Sequence, residues 1–274
     1  MAKIHLNGQL IESSAARIDP ADRGLLLADG LFETLRVYGG RAFQIDAHLA
    51  RLAAGAAALD IPIPPAGDLA QAVAETLSAN GDREASLRIT LTRGVGQRGL
   101  LPPADPTPTV MIASHPLVAP APGAMAAHIS TIRRNEHSPL SRLKSLAYLD
   151  NVLALREAAA AGCEEALMLN TAGRLAGGGR SNLFLVLKGE LVTPPPSEGV
   201  LAGIARQTIL GLAAATGMPS REAPLSLADI EQASEALISN SLLEVRPLSR
   251  IGSSTFALGP VCADLARRYE DLTA

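Results

Sequence analysis

The sequence lacks tryptophan and has few aromatic residues of any kind, which constrains both its core and its partners. Phenylalanine, tyrosine and tryptophan together make up 3% of the 274 residues. The core must therefore be built from Leu, Val, Ile and Ala, and there are too few rings for a platform on which nucleic-acid bases stack. The net charge of −3 also argues against a nucleic-acid partner, because such proteins normally present a basic face.

Cysteine and long apolar runs are also scarce. Cys163 and Cys262 lie far apart, without the spacing of a zinc site or a disulfide framework, so a reducing, cytoplasmic location is expected. No run of about 18 apolar residues occurs, and residues 1–14 lack the apolar segment of a signal peptide. We therefore expect neither secretion nor a membrane partner.

What is present is the pattern of a globular α+β protein, with 47% apolar and 19% charged residues. Asn7-Gly8 and Gly39-Gly40 interrupt alternating segments and predict hairpins over residues 4–12 and 32–45. Apolar periodicity predicts helices near 47–59, 69–79, 149–161, 205–216 and 261–272, strands at 86–92, 109–114, 127–133 and 236–239, and hairpins over 166–192.

A short, uncharged, Pro-rich segment, Val118-Ala-Pro-Ala-Pro-Gly123, divides the chain. Such a composition makes a semi-rigid connection between domains. We predict a small N-terminal domain at 1–118, a linker at 119–123 and a larger C-terminal domain at 124–274.

Two short motifs match known site patterns but lack the required context. Gly94-Val-Gly-Gln-Arg-Gly99 has the glycine spacing of a dinucleotide fingerprint, but Leu-Leu-Pro-Pro follows where a helix must begin, so a glycine-rich loop is predicted. Ser141-Arg-Leu-Lys144 matches the SxxK motif of serine acyl enzymes, but no KTG companion accompanies it. A serine hydrolase that uses Ser141 stays a distant alternative.

Lysine is rare, with three lysines against 21 arginines, so chemistry that needs a primary amine has few candidates. Lys3 is close to the terminus. Lys188 precedes a glycine in a predicted hairpin turn, where an exposed lysine is expected. By pattern alone, Lys144 is equally an ordinary surface lysine before a helix.

The strongest signal is a series of segments that match one family in the same order along nearly the whole chain. They are Asp22-Arg-Gly-Leu-Leu-Leu-Ala-Asp-Gly-Leu-Phe-Glu-Thr34, His48-Leu-Ala-Arg-Leu52, Ser138-Pro-Leu-Ser-Arg-Leu-Lys-Ser-Leu-Ala-Tyr-Leu-Asp-Asn-Val-Leu-Ala154, Gly162-Cys-Glu-Glu-Ala-Leu-Met-Leu-Asn170, Ser181-Asn-Leu-Phe184, Gly199-Val-Leu-Ala-Gly-Ile-Ala-Arg206 and Ser239-Asn-Ser-Leu-Leu-Glu-Val-Arg-Pro247. Together they resemble the class IV aminotransferases, and within that family most closely the aminodeoxychorismate lyases and D-amino-acid transaminases.

The resemblance implies a homodimeric pyridoxal 5′-phosphate enzyme of fold type IV that acts on a small amine or amino acid. Its fold would be α+β with two domains, a small α/β N-terminal domain and a larger C-terminal domain with a β-barrel-like core. Lys144 would hold the cofactor and then serve as base and acid at the substrate Cα. Phe32, in the first active-site segment, would contact the substrate.

The resemblance also implies a set of cofactor contacts that physical chemistry explains. Ile204 and Ala205 would offer backbone N–H groups at a helix N-terminus, which favours a phosphate dianion, and Arg51 and Ser241 would complete the phosphate cradle. Tyr148 would donate to the phenolic oxygen of the ring. The residues expected to bind the cofactor are Arg51, Tyr148, Gly177, Ile204, Ala205, Asn240 and Ser241.

One position departs from the family pattern. Five residues before Asn182, where the family has a glutamate that faces the pyridine nitrogen, this chain has Gly177. That carboxylate keeps the nitrogen protonated. Its loss means either that a water or another side chain takes its place or that the reaction needs less delocalisation into the ring. Aminodeoxychorismate lyase meets this condition, because aromatisation of the substrate helps to drive the release of pyruvate. The alternatives are a transaminase for D- or branched-chain amino acids and a non-catalytic relative that binds the cofactor.

Arg93 and Arg98 flank the glycine-rich loop and are the predicted ligands of substrate carboxylates. The alternative for both is an ordinary surface charge.

Overall fold

The computed structural model describes residues 2–117 and 123–273, so residues 118–122 of the predicted linker segment lie outside the described residues. The chain divides into two compact units. Unit 1 comprises Met1–Ala119 and Leu143–Ala147, and unit 2 comprises Pro120–Arg142 and Tyr148–Ala274. The short segment that contains Lys144 thus belongs to unit 1, whereas the sequence prediction assigned it to the C-terminal domain.

Unit 1 is built on an antiparallel six-stranded sheet with the order β2-β1-β6-β5-β3-β4. Its strands are β1 (Lys3–Leu6), β2 (Gln9–Glu12), β3 (Gly30–Tyr38), β4 (Arg41–Ala42), β5 (Ala85–Thr92) and β6 (Thr109–Pro116), and its helices are α1 (Arg23–Leu27), α2 (Ile45–Ala58) and α3 (Ala66–Asn80).

The core of unit 1 follows from strand alternation and helical periodicity. Leu31 and Leu35 of β3 and Leu87 of β5 point to one face of the sheet, where they pack against the apolar sides of α2 and α3. The opposite face carries polar and aromatic side chains. Because a strand places successive side chains on opposite faces, this division is set by the sequence itself.

Both predicted hairpins of unit 1 are confirmed. Asn7 and Gly8 have φ values of 48° and 84°, and Gly39 and Gly40 have values of 56° and 85°. Two consecutive residues with positive φ are what the tightest hairpin turns require, since their twist matches that of the flanking strands.

Unit 2 is built on a nine-stranded mixed sheet with the order β12-β11-β10-β13-β14-β7-β8-β9, and β15 pairs with β14. Its strands are β7 (Met125–Arg134), β8 (Glu165–Asn170), β9 (Leu175–Gly178), β10 (Asn182–Leu187), β11 (Glu190–Thr193), β12 (Ser220–Glu222), β13 (Glu235–Asn240), β14 (Glu244–Ile251) and β15 (Ser254–Thr255), and its helices are α4 (Leu149–Ala160), α5 (Ile204–Ala215), α6 (Leu227–Gln232) and α7 (Pro260–Asp271). Leucines, isoleucines and valines of the sheet form its main core.

The predicted helices and strands are all present, with bounds shifted by a few residues. The structure adds several elements that periodicity did not reveal. β14 contains Pro247 and buries its residues irregularly, so it shows no alternation. α6 has only six residues, although its start carries a recognisable signal, because the carboxylate of Asp229 accepts a 2.7 Å hydrogen bond from the Ser226 N–H.

The loop at residues 94–99 leads into no helix, which confirms its prediction as a glycine-rich loop. Among the residues that the structure describes, the longest helix has 15 residues, and no helix is long and apolar enough to cross a membrane.

Candidate active site

Lys144 is fixed in unit 1 by the backbone of β3. Its carbonyl accepts a 2.9 Å hydrogen bond from the Phe32 N–H, and the Leu146 N–H donates to the Gly30 carbonyl at 2.9 Å. The side-chain amine lies 4.2 Å from the centre of the buried Phe32 ring. A cation is stabilised over an aromatic face, so the amine has a defined position beside the ring.

The other two lysines lie in ordinary settings. Lys188 is exposed, has a φ of 52° and precedes Gly189 in the turn between β10 and β11, as predicted. Lys3 lies in β1, where its backbone N–H donates to the Asn80 side chain at 2.8 Å. Ser141 donates its hydroxyl hydrogen to the Asn135 carbonyl at 2.6 Å, so that proton is not directed at a lysine.

Arg51 is held in unit 1 by a buried carboxylate. Glu33, on the core side of β3, accepts hydrogen bonds from Nε and one terminal nitrogen of Arg51 at 2.7 and 2.6 Å. His48, one helical turn before Arg51, contributes its Nδ1 to the same carboxylate at 2.7 Å. A bidentate contact of this kind fixes the plane of the guanidinium, which is the preparation that a phosphate ligand needs.

The pKa values of this cluster assign its charges. Burial alone would raise the pKa of Glu33, but the hydrogen bonds from Arg51 and His48 lower it overall. Burial lowers the pKa of His48, and the attraction of Glu33 only partly offsets this. At neutral pH the carboxylate is therefore ionised and the imidazole is neutral, with its hydrogen on Nδ1 because an ionised carboxylate can only accept.

Arg93 has a structural setting within unit 1. Its guanidinium is buried and donates to the Asp29 carboxylate at 2.8 Å and to the Leu59 and Asp60 carbonyls at 2.7 and 2.9 Å. All three of its nitrogens thus already donate to groups of unit 1, and they tie the end of β5 to the end of α2. This geometry does not favour the substrate contact predicted for Arg93.

Arg98 lies exposed in the glycine-rich loop. The loop is anchored by buried Arg23, which donates to the Gly99 and Leu100 carbonyls at 3.1 and 2.8 Å and pairs with Asp29 at 2.8 Å. Nothing in the sequence signals this anchor. Arg23 and the carbonyls that it contacts are more than 70 residues apart, so the contact depends on where the fold places the loop.

In unit 2, the start of α5 packs against the strand that begins at Asn182. Gly203 precedes the helix, and a Cβ there would lie 2.4 Å from the Asn182 side-chain oxygen, so glycine is required. Asn182 in turn donates to the Ser239 carbonyl at 3.0 Å. The N–H groups of Ile204 and Ala205 open the helix, and they belong to the first turn, where backbone donors have no partner within the helix.

Asn240 shapes the turn that carries Ser241. Its side-chain oxygen accepts hydrogen bonds from the Leu242 and Leu243 N–H groups at 2.9 and 2.7 Å, and its nitrogen donates to the Arg180 carbonyl at 3.1 Å. The amide of Asn240 therefore orients the turn, and the half-buried hydroxyl of Ser241 is the group of this turn that is suited to a phosphate.

Tyr148 immediately precedes α4, and the same unit contains a buried arginine, Arg134, which sequence reasoning missed. The Arg134 guanidinium donates to the carbonyls of Ala176 and Gly178 at 3.1 and 3.2 Å. Burial lowers its pKa from the usual very high value, and the nearby Tyr148 opposes that shift. No local pattern signals this role, because its acceptors lie more than 40 residues away.

Gly177 has a φ of 81°, and a Cβ there would lie 3.3 Å from the Ser181 carbonyl oxygen. The backbone conformation itself therefore favours glycine. The next two residues, Gly178 and Gly179, make room for the side chain of Glu165. A Cβ at Gly178 would lie only 3.2 Å from the carboxyl carbon of Glu165. Burial raises the pKa of Glu165, and the Ser181 hydroxyl donates to it at 2.7 Å.

Taken separately, the two units supply a donor set that suits a phosphorylated pyridine aldehyde. Unit 1 offers the Lys144 amine and the oriented Arg51 guanidinium. Unit 2 offers the start of α5, the Ser241 hydroxyl and the Tyr148 phenol. The one expected group that is missing is a carboxylate at position 177.

Residues 30–251 match the model of the class IV aminotransferases, and the chain belongs to this family. It is 34% identical to a provisionally named branched-chain-amino-acid aminotransferase from Methanocaldococcus jannaschii, over 98% of this chain and 96% of that protein. It is 30% identical to the D-alanine aminotransferase of Listeria monocytogenes, with coverage of 97% and 94%. The crystal structure of 4-amino-4-deoxychorismate lyase from Pseudomonas aeruginosa superposes with a TM-score of 0.89 at 32% identity, covering 98% of each chain.

The resemblance found in the sequence is therefore confirmed. The chain is a pyridoxal-phosphate-dependent enzyme of the aminotransferase and lyase family, with the α+β fold of the fold type IV enzymes.

Proposed function

We propose that this enzyme is an aminodeoxychorismate lyase, which releases pyruvate and leaves 4-aminobenzoate. The observation that carries the proposal is Gly177, at the position where the family has a glutamate that faces the pyridine nitrogen. When bound, the cofactor supplies a ring that accepts electron density from the substrate carbon, and it does so best when its nitrogen is protonated. Without that glutamate, a reaction with its own driving force is favoured, and aromatisation of the substrate ring provides one.

The surroundings of Gly177 support this reasoning. The carbonyls on both sides of it accept hydrogen bonds from Arg134, whose guanidinium only donates hydrogen bonds and cannot act as the missing carboxylate. The buried carboxyl of Glu165 is already held by the Ser181 hydroxyl and the Ala166 N–H, and its raised pKa disfavours the charged form. Neither group therefore provides the ionised carboxylate that the family glutamate presents to the pyridine nitrogen.

Lys144 is proposed to hold the cofactor and to move the proton that leaves the substrate ring. A primary amine can accept that proton at one atom and return it at another, which is the general base and acid role. The Phe32 ring, 4.2 Å from the amine, limits the directions from which the amine approaches the substrate. Arg51, Ile204, Ala205 and Ser241 are proposed to bind the phosphate.

A second candidate is an aminotransferase for branched-chain or D-amino acids, which is supported by the 34% identity to the archaeal relative. Both candidates need Lys144 and the same phosphate ligands. They differ in the fate of the amino group: the lyase releases pyruvate and leaves the amino group on the aromatic product, whereas the aminotransferase converts a donor amino acid into its 2-oxo acid and passes the amino group to a 2-oxo acid acceptor.

A side-by-side assay separates the two. The purified protein would be given 4-amino-4-deoxychorismate, with pyruvate measured by a coupled dehydrogenase, and separately a panel of D- and L-amino acids with 2-oxoglutarate. Lys144→Ala serves as the inactive control. Pyruvate release that exceeds every amino-transfer rate is expected. Amino transfer without pyruvate release from 4-amino-4-deoxychorismate would replace the lyase by the aminotransferase.

We also infer a homodimer, in line with the family resemblance. Leu100 and Leu101 are 82% and 88% exposed, and Leu25 in α1 is 68% exposed. Exposed leucines of this kind commonly mark a surface that another chain covers. Sedimentation of the wild type should give a dimer, and Leu100→Glu with Leu101→Glu should give monomers, while Leu258→Glu in unit 2 should not. A wild-type protein that is active as a monomer would contradict this.

A further inference from the structure

The loop between β11 and α5 leads directly into the helix start that is proposed to bind the phosphate. It begins at Pro194, whose carbonyl accepts a 3.0 Å hydrogen bond from buried Arg206 in α5, so the two ends of the loop lie close together. Between these ends the chain makes a short 3-10 turn, Pro196–Glu198, and buries the carboxylate of Glu198 within unit 2. Such a carboxylate needs donors around it, because burial of an uncompensated charge is costly.

The donors to Glu198 come from the turn between β8 and β9. Oε2 of Glu198 accepts hydrogen bonds from the Asn170 side-chain nitrogen at 2.7 Å and from Nε of Arg174 at 2.5 Å. The turn is closed by its own hydrogen bonds, because the Asn170 N–H donates to the Arg174 carbonyl at 2.7 Å and the Arg174 N–H donates to the Asn170 side-chain oxygen at 2.9 Å. The side chain of Glu198 is 5% exposed and that of Arg174 is 42% exposed, so a substitution at Arg174 reaches this contact from its solvent side.

A second buried carboxylate, that of Glu136 just after β7, holds the same turn. It accepts hydrogen bonds from the Thr171 N–H and hydroxyl at 2.9 and 2.8 Å and from the Ala172 N–H at 3.3 Å. The loop passes close to this residue, since a Cβ at Gly199 would lie 3.0 Å from the Glu136 Cα. The φ of Gly199 is 84°, which also favours glycine. The loop is therefore packed against the turn and its anchor immediately after Glu198.

The residues that follow Glu198 connect this contact to the proposed cofactor site. Buried Val200 borders position 177, because a Cβ at Gly177 would lie 3.9 Å from the Val200 Cγ1. Gly203 then packs against the start of β10 and ends the loop, and α5 begins at Ile204. A displacement of Glu198 would thus reach the start of α5 through a short, packed segment.

We propose that Glu198 is a positioning residue for the phosphate end of the cofactor and acts through the backbone N–H groups of Ile204 and Ala205. By holding the loop against the β8–β9 turn, it keeps these donors in place before the phosphate arrives, so that binding does not first have to order the loop. The inference rests on the proposed function insofar as the start of α5 binds the phosphate. It is the same for a lyase and for an aminotransferase.

The test compares two forms of the cofactor that differ only in the phosphate. The full-length protein, freed of cofactor, would be titrated with pyridoxal 5′-phosphate and with pyridoxal, and binding would be followed by absorbance. Glu198→Ala removes both hydrogen bonds, Arg174→Gln weakens the contact from its solvent side, and Glu198→Gln keeps an acceptor of the same size. Glu190→Gln is the matched control, since Glu190 is a carboxylate of unit 2 that accepts a 2.7 Å hydrogen bond from Nε of the exposed Arg221.

The expected result is a loss of affinity that depends on the phosphate. Glu198→Ala should weaken the binding of pyridoxal 5′-phosphate about tenfold, the lower end of the loss for a hydrogen bond between charged groups, because Gly203 still holds the far end of the loop. The binding of pyridoxal should not change. Arg174→Gln should show a smaller effect in the same direction, Glu198→Gln should recover most of the affinity, and Glu190→Gln should match the wild type.

The inference is overturned if Glu198→Ala weakens the binding of both compounds equally, as a merely structural role would, or leaves both unchanged. It is also overturned if Glu198→Gln tightens the binding of pyridoxal 5′-phosphate, because the charge and not the hold on the loop would then matter. If Glu198→Ala does not fold, Arg174→Gln decides by the same criteria. Ser241→Ala tests the proposed phosphate site itself: if it alone weakens the binding of pyridoxal 5′-phosphate, that site stands and the role of Glu198 fails.

Discussion

Glu33→Gln is the substitution that best tests how unit 1 holds Arg51, the proposed phosphate ligand. The Glu33 side chain is 1% exposed, and its partner Arg51 is 16% exposed, so the ion pair is almost removed from water. Deleting one partner of such a pair leaves an uncompensated buried charge, which costs about 3–5 kcal/mol. Because Arg51 keeps some contact with water, we expect a loss near the lower end, about 3 kcal/mol of unfolding free energy.

Glu84→Gln provides the matched control. Glu84 pairs with Arg36 at 2.9 Å on the same sheet, but its side chain is 55% exposed. Exposed pairs contribute about 0–1 kcal/mol, so this substitution should have little effect. Urea unfolding of the two variants and the wild type, followed by far-UV circular dichroism at neutral pH, compares the two losses directly.

The pH dependence adds an independent check. The pKa of Glu33 is lowered in the folded protein, so its contribution to stability is fully present above the ordinary value of 4.5 and is lost as the pH falls through the folded pKa. The difference between wild type and Glu33→Gln should therefore shrink on acidification. The reasoning is refuted if Glu33→Gln costs no more than Glu84→Gln at neutral pH, or if the difference is the same at acidic pH.

Two further predictions concern Lys144, the proposed cofactor lysine, and Gly177, the glycine that replaces the family glutamate. Lys144→Ala should abolish the borohydride-reducible linkage of the cofactor, as followed by mass spectrometry, while Lys3→Ala and Lys188→Ala retain it; linkage in the Lys144 variant would reject the assignment. Gly177→Ala should destabilise the protein by about 1–3 kcal/mol because its φ is 81°, whereas Gly211→Ala, in open space within α5, should stabilise it by about 0.5–1 kcal/mol in the same urea assay. Equal effects of the two glycine variants would show that backbone strain at 177 is not the reason for the glycine.

The sequence alone predicted those features that depend on residues close to one another in the chain. Two consecutive turn residues determine the hairpin at Asn7-Gly8, and the Lys188-Gly189 turn follows the same logic. Apolar periodicity located the long helices, since one face of each must be buried. The ordered family segments predicted pyridoxal phosphate, which the family match confirms, and they also led to the prediction that Lys144 holds it.

Only the tertiary structure determined which groups the charged side chains contact. Arg93 looked like a ligand for substrate carboxylates from its place beside the glycine loop, yet its partners are Asp29 and two carbonyls at the end of α2, more than 30 residues away. Arg134, which donates to two carbonyls more than 40 residues away, carried no sequence signal at all. The long side chain of an arginine reaches groups that are remote in sequence, and no local pattern states which carboxylate, carbonyl or ring the fold will bring next to it.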